Sequence, residues 1–333
     1  MRGIETRLLP ETLYPHTFFD VVGFQRSLSR RNLAFAPKMW RARSEAVALL
    51  RRLDPNVVVT VGGYASMPAV LAARKLGVPI VVVSYDFVPG RASQFAARSA
   101  AACAVAFENS PLPKATVTGA PVRQAILALD RVGDRAAARR RLGVPDDRFL
   151  VAVMGGSLGS GVLNAAIARY ANAHRDDDGL AIRQVAGERF IDEVAVVDSS
   201  GSTGLFHQIV GYEDNMASIY AAADLLIGRG GASTVHEVAV TGIPAILIPW
   251  TGAADDHQTE NVRWLTDADG AELMTETALA ADPSHLDEAI ERLRNDVEAR
   301  ERLSRAARRR GEVHRSGAMA SLVECVALAS TAR

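Results

Sequence analysis

Residues 223–261 read ADLLIGRGGASTVHEVAVTGIPAILIPWTGAADDHQTEN, and the order of apolar and glycine-rich segments in them decides the fold class. Residues 225–227 form an apolar strand that runs into a Gly230-Gly231 turn. The helix expected next carries Glu237 on its first turns. A second apolar strand ends at Pro249, and a loop then offers Asp256, His257, Gln258 and Asn261. Strand, glycine turn, helix and second buried strand make a βαβ unit, which packs into a parallel sheet covered by helices.

The same rhythm extends in both directions. Strands are expected at 57–61, 79–83, 102–107 and 115–118, then at 149–154, 181–186, 207–210 and 245–248. Residues 127–148 are charged and helical and read as a linker. A long charged helix is expected over 286–310 and an apolar one over 319–329. The expectation is an α/β chain of two doubly wound halves, with domains at 1–135 and 145–312 and a helix in 313–333 packing back toward the first. Ligands in such sheets bind at the carboxyl ends of the strands. The first half opens on Arg2-Gly3-Ile4-Glu5, which reads as a connecting loop. Its opening strand, a glycine-rich turn and the next helix are therefore expected to be absent.

Composition narrows the function classes. The chain is 48% hydrophobic and 23% charged, which excludes a disordered chain. No run approaches the ~18 apolar residues of a membrane span. Cys103 and Cys325 have no metal-ligand or disulfide-framework spacing. Net charge is zero but unevenly placed: residues 1–125 hold 16 Lys/Arg against 7 Asp/Glu, a net +9, and the remainder holds 22 against 31, a net −9. Within 21–52, Arg26, Arg30, Arg31, Lys38, Arg41, Arg43, Arg51 and Arg52 face Glu45 alone. Phe18, Phe19, Val21, Val22 and Phe24 lie beside them. Basic side chains next to an apolar cluster suit an anionic membrane surface, or simply a solvated helix face. Aromatics are not interleaved with the basic residues, so nucleic acid is not an expected partner.

Gly155-Gly156-Ser157-Leu158-Gly159 lies between a strand and a helix, where unpaired N–H groups attract phosphate. The spacing is not that of a dinucleotide fingerprint, and Asp176-Asp177-Asp178 precede the second strand instead of ending it. A tight turn would also need these glycines. Residues 229–234 form a second strand-to-helix turn, and two such turns in one half suggest a diphosphate between helix ends. Glu237 can accept from both hydroxyls of a ribose or pair with its own helix dipole. Gln258 and Asn261, three apart, share a helix face from which amides can bond sugar hydroxyls; His257 alone reads as a surface histidine. Arg123 suits a phosphate or an interdomain ion pair. Tyr64, after Gly62-Gly63, can line an acceptor side. The histidines are scattered, so neither a metal nor a cofactor is expected.

These segments together resemble the MurG family of UDP-N-acetylglucosamine transferases. Arg2–Glu5 with Leu9-Pro10 looks like the segment after the family's second strand. Gly62-Gly63-Tyr64 with Ser66 and Pro68 resembles GGYxSxP, and Gly119–Arg123 resembles GNPVR. Gly155-Gly156-Ser157 with Leu163-Asn164 is similar to GGSQGA…LN, Arg229–Glu237 to RSGAxTxxE, and Ala253–Asn261 to AADDHQTxN. The resemblance implies a GT-B fold, two Rossmann-like domains facing a cleft. It also implies inverting, metal-independent transfer of N-acetylglucosamine from UDP-GlcNAc to the polyprenyl-diphosphate-linked acceptor lipid I, giving lipid II for peptidoglycan. Peripheral binding to the cytoplasmic face of the cell membrane follows as well. It places Ser157 and Arg229, Ser233 and Thr234 at the diphosphate, Glu237 at the ribose, and Gln258 and Asn261 near the sugar. Tyr212 and Glu213 fall where the family packs against uracil, Glu213 replacing an aliphatic residue. The family's GGTGGH loop has no counterpart here, Leu158 replaces a glutamine, and Val83-Ser84-Tyr85-Asp86 stands where the family has HEQN. Asp86 is then the acid expected to serve as general base. The altered segment keeps two alternatives open: a paralogue using another lipid-linked acceptor, and a UDP-sugar-binding protein without turnover.

Overall fold

Short, mostly apolar runs form the strands, and helices lie in the segments between most of them. The computed structural model describes Thr6 and residues 9–21, 35–156, 159–194, 204–252 and 256–331. Several expectations lie outside the described residues: those on Arg2–Glu5, on Val22, Phe24, Arg26, Arg30 and Arg31, on Ser157 and Leu158, and on residues 253–255. The chain divides into two units, Met1–Gly119 with Gly317–Arg333, and Ala120–Ser316.

The first unit contains α1 (Phe35–Leu53), β1 (Val58–Thr60), α2 (Met67–Leu76), β2 (Ile80–Ser84), α3 (Arg91–Ala97), β3 (Ala102–Val105) and β4 (Ala115–Val117). The strands are parallel, in the order β1-β2-β3-β4. Side chains alternate across a strand. Ile80 and Val82 accordingly meet Ala46, Val47 and Leu50 of α1 and Val70 and Ala73 of α2. Val81, Val83 and Ala104 face the other way, under Met319, Leu322, Val323 and Val326 of the last helix, Ala318–Thr331. Burial on both faces is why β2 is an unbroken apolar run.

The second unit comprises α4 (Gln124–Leu127), α5 (Arg135–Leu142), β5 (Phe149–Met154), α6 (Gly161–Ala173), β6 (Leu180–Val185), β7 (Phe206–Val210), α7 (Met216–Ala222), β8 (Leu225–Gly228), α8 (Ala232–Thr241), β9 (Ala245–Leu247), α9 (His257–Thr266), β10 (Glu272–Leu273), α10 (Glu276–Ala281), α11 (Ser284–Asn295) and α12 (Val297–Gly311). Its parallel sheet runs β10-β9-β8-β5-β6-β7. From β5 the chain winds outward through β6 to β7. It then returns to β8, on the other flank of β5, and winds away through β9. The winding reverses between β5 and β8, and ligands of open α/β sheets bind outside such a reversal. Leu163, Ile167 and Tyr170 of α6 and Leu286, Ile290 and Leu293 of α11 close the core over Val151, Val153, Leu225 and Ile227.

Three segments depart from expectation. Residues 127–148 belong to the second unit instead of linking two domains, because their arginines bind its backbone. Arg131 donates to Tyr220 O at 2.9 Å and Ala223 O at 2.6 Å, and Arg139 is fully buried among carbonyls. The helix expected over 286–310 is two helices. Asp296 leaves helical geometry, and its carboxylate accepts from Ala299 N at 2.8 Å, capping a new start. The two-residue β10 was too short to be legible as a strand.

His314 couples this unit's stability to pH. It is buried, its Nδ1 accepts from Ala120 N at 2.8 Å, and its ring lies 4.7 Å from His236 and 5.6 Å from Trp264, which also carries Arg310 over its ring. Burial, with His236 adding to it, lowers its pKa to about 3. The unfolded chain therefore takes up this proton near pH 6.5 and the folded chain only near 3, so stability is full above pH 6.5 and falls as pH drops through that window. Between pH 6.5 and 5 the expected loss is ~2 kcal/mol, visible as a lower melting temperature. His314→Asn, which keeps an acceptor for Ala120 N, should remove that share of the slope and leave the share of His207, whose burial lowers its pKa to about 4.

Candidate functional site

The carboxyl ends of β5 and β8, side by side at the reversal, carry the two glycine-rich turns. After β5 come Gly155, Gly156 and Gly159, then Ser160, whose hydroxyl accepts from Leu163 N at 3.2 Å and caps α6. After β8 come Arg229, Gly230 and Gly231, and α8 starts at Ala232. Gly230 is required by contact: a Cβ there would lie 2.7 Å from Gln258 O and from Val262 Cγ2 of α9. Two helix N-termini therefore open at one edge of the sheet, and their unpaired N–H groups suit an anion of two phosphates.

Arg229 does not reach out from its turn. It is 9% exposed, and its guanidinium donates to Ile248 O at 3.2 Å and Ser160 Oγ at 2.6 Å and pairs with Glu276 Oε1 at 2.6 Å. Arg229 thus fastens the two turns together. Ser233 and Thr234 lie on the first turn of α8, Ser233 exposed and Thr234 partly buried.

Glu237 and Arg123 meet within the second unit. Glu237 is 6% exposed. Its Oε1 accepts from Arg123 Nε at 3.1 Å and Nη2 at 2.9 Å, and its Oε2 from the Tyr220 hydroxyl at 2.8 Å. Burial, then the Glu237 carboxylate, raises the Tyr220 pKa well above its ordinary value, which makes Tyr220 a fixed donor. The Arg123 side chain is 55% exposed.

The remaining residues separate. Gln258 Oε1 accepts from Trp250 N at 2.9 Å. Asn261 is fully buried and donates to Gly230 O at 3.3 Å, so it braces the turn and does not line an open surface. His257 opens α9 after Asp256, whose φ is +51°. Tyr212 is exposed. Glu213 turns away from the surface: its carboxylate binds Arg183 Nη2 at 2.5 Å and accepts from Asn215 N at 3.0 Å. In the first unit, exposed Tyr64 follows β1 and partly buried Asp86 follows β2. Both stand at the carboxyl edge of that sheet. Among the described residues no cluster of His, Cys, Asp or Glu could hold a metal.

Sequence reasoning missed Tyr220, Glu276 and the buried relay in which Asn164 accepts from Gln184 at 2.9 Å and donates to Ala186 O at 3.1 Å. Ser160 alone had a legible signal, a serine just before a helix.

Two Rossmann-like parallel sheets with paired phosphate-suited turns in the second define a GT-B glycosyltransferase. The chain belongs to glycosyltransferase family 28: residues 1–105 match its N-terminal domain and residues 150–319 its C-terminal domain. It is 38% identical over 282 residues to the UDP-N-acetylglucosamine–N-acetylmuramyl-(pentapeptide) pyrophosphoryl-undecaprenol N-acetylglucosamine transferase of Nocardioides sp., covering 84% of this chain and 76% of that protein. To the transferase of the same name in Shewanella loihica it is 31% identical, over 98% of this chain and 87% of the relative. The crystal structure of Acinetobacter baumannii MurG superposes with a TM-score of 0.69 at 27% identity, covering 97% and 88% of the two chains. The UDP-GlcNAc 2-epimerase of Neisseria meningitidis, bound to UDP-GlcNAc, shares the fold at a TM-score of 0.64 and 12% identity over 92% of this chain and 84% of that chain.

Proposed function

We propose that this protein transfers N-acetylglucosamine from UDP-GlcNAc to lipid I, undecaprenyl-diphospho-N-acetylmuramyl-pentapeptide, and so makes lipid II for peptidoglycan. The observation that carries this reading is the pair of glycine turns at the reversal of the second sheet, in a chain whose relatives over most of its length bear that activity in their names. The diphosphate of the donor lies between the starts of α6 and α8. Glu237 takes the ribose hydroxyls as Arg123 swings to the phosphates, Tyr212 covers the base, and Gln258 offers its NH2 group to the sugar. The acceptor hydroxyl attacks the anomeric carbon with inversion. UDP leaves, its charge met by backbone N–H groups and Arg123 instead of a metal.

Asp86 is the acid at the acceptor edge, beside Tyr64, and removes the proton of the attacking hydroxyl. The test is conversion of lipid I in vesicles with labelled UDP-GlcNAc. Wild-type chain should form lipid II. Asp86→Asn should lower kcat on the order of 100-fold, the worth of a positioned general base. Equal turnover would remove Asp86 from the reaction, and no lipid II from the folded wild type would remove the function.

The enzyme works as a peripheral protein on the cytoplasmic membrane face. None of the described helices is long and apolar enough to cross a membrane. The α1 helix combines Arg41, Arg51 and Arg52 with Trp40, 68% exposed, and exposed Leu53. Flotation with vesicles rich in anionic lipid should be strong at low salt and weaken at several hundred millimolar, as screening shortens its range. Binding indifferent to salt or to lipid charge would count against this surface.

A further inference from the structure

Glu276 opens the short helix α10, outside every motif read from the sequence. Its Oε1 pairs with Arg229 Nη2 at 2.6 Å, and Oε2 accepts from Thr251 N at 2.9 Å and Thr251 Oγ1 at 2.6 Å. Arg229 in turn holds Ser160 at the start of α6 and Ile248 O at the end of β9. One carboxylate thereby ties together the β5 turn, the β8 turn and the loop after β9. That loop presents Trp250, about half exposed, whose backbone N–H is fixed by Gln258 and whose ring packs on Gly252. Burial would raise the Glu276 pKa, but the hydrogen bonds from Thr251 and the Arg229 guanidinium outweigh it and hold the group below its usual range.

A buried ion pair stabilises a fold no better than apolar side chains of equal volume. What the Arg229–Glu276 pair supplies is directional: several bonds aimed at three segments that all end at the same sheet edge. We infer that Glu276 is a positioning residue for the nucleotide-sugar, acting through Arg229 and Thr251 to set the spacing between the two glycine turns and the Trp250 loop. This rests on the proposed function.

The experiment uses the full chain and reads UDP-GlcNAc binding by calorimetry together with steady-state kinetics. Glu276→Gln should weaken UDP-GlcNAc binding and raise its KM about tenfold, the size of one charge-assisted hydrogen bond. The values of kcat and of KM for the lipid acceptor should stay within about twofold, a split that general loosening of the fold would not give. Glu276→Asp should recover part of the loss. The double variant Glu276→Gln with Arg229→Gln should lose less than the sum of the two single variants, since part of the carboxylate's effect passes through that guanidinium. Wild-type binding matched by Glu276→Gln, or additive losses in the double variant, overturns the inference alone. A folded wild type that binds no UDP-GlcNAc overturns the function and the inference with it. Should Glu276→Gln not fold, Thr251→Val deletes one exposed hydroxyl contact and is expected to weaken binding about threefold; unchanged affinity there overturns the inference.

Discussion

Glu237→Ala is expected to lower affinity for UDP-GlcNAc about 100-fold, the loss of two hydrogen bonds to a carboxylate. A carboxylate has about four lone-pair sites. Tyr220 fills one and Arg123 two. Tyr220 is fully buried and cannot leave, whereas Arg123 is half in solvent. In the function proposed, a ribose diol would reach Glu237 by displacing Arg123, which the diphosphate would draw away. Glu237→Gln keeps the volume but accepts on one atom only, and should fall between wild type and alanine. Tyr220→Phe leaves the carboxylate without its fixed donor, and about a tenfold loss is expected. Calorimetry decides, with circular dichroism as the check on folding. Affinity within threefold of wild type in Glu237→Ala would leave Glu237 as a brace for Arg123 and Tyr220 and end its assignment to the ribose.

Arg139→Met should instead cost stability, ~3–5 kcal/mol, with the affinity of the folded protein unchanged. Its Nε donates to Ala222 O at 3.1 Å. Its Nη1 donates to Pro145 O at 2.7 Å, Asp146 O at 3.0 Å and Arg148 O at 2.7 Å, and its Nη2 to Asp224 at 2.8 Å. Asp224 also accepts from Leu150 N at 2.8 Å, so the arginine seals the amino ends of β5 and β8, opposite the glycine turns. Methionine fills the space and strands four carbonyls, while Asp224 keeps Leu150 N and Arg135. Lysine, a point charge on a flexible stem, cannot fork to them and should fail nearly as badly. For a unit of this size the expected fall in melting temperature is roughly 10 °C.

These two residues also mark what the sequence made legible. Glu237 was visible because a strand, a glycine turn and an acid on the following helix occur in a fixed order, and order survives in one dimension. The strands were visible for the same reason: a buried parallel strand is an apolar run whatever packs on it. Arg139 was not visible. An arginine in a charged helix looks like solvent-facing surface, and only the fold brings the carbonyls of 145–148 and 222 around it. Glu276 and Tyr220 were hidden in the same way, since their side-chain partners lie 17 to 47 positions away. Asn261 was placed correctly on its helix, but its face turns inward, a distinction that three-residue spacing does not carry. Asp296 was overlooked because one capping carboxylate ends a helix without any glycine or proline to announce it.

The bond from Ala120 N to His314 Nδ1 has a consequence for how this chain can be rearranged. It joins Ala120, the first residue of the second unit, to His314, close to its last residue Ser316, at 2.8 Å. A contiguous segment whose ends touch has the geometry of a cassette, and domains of that form tolerate excision, transplantation and circular permutation. The second unit is thus portable: it can be lifted out and set into a related chain with a single pair of splice points.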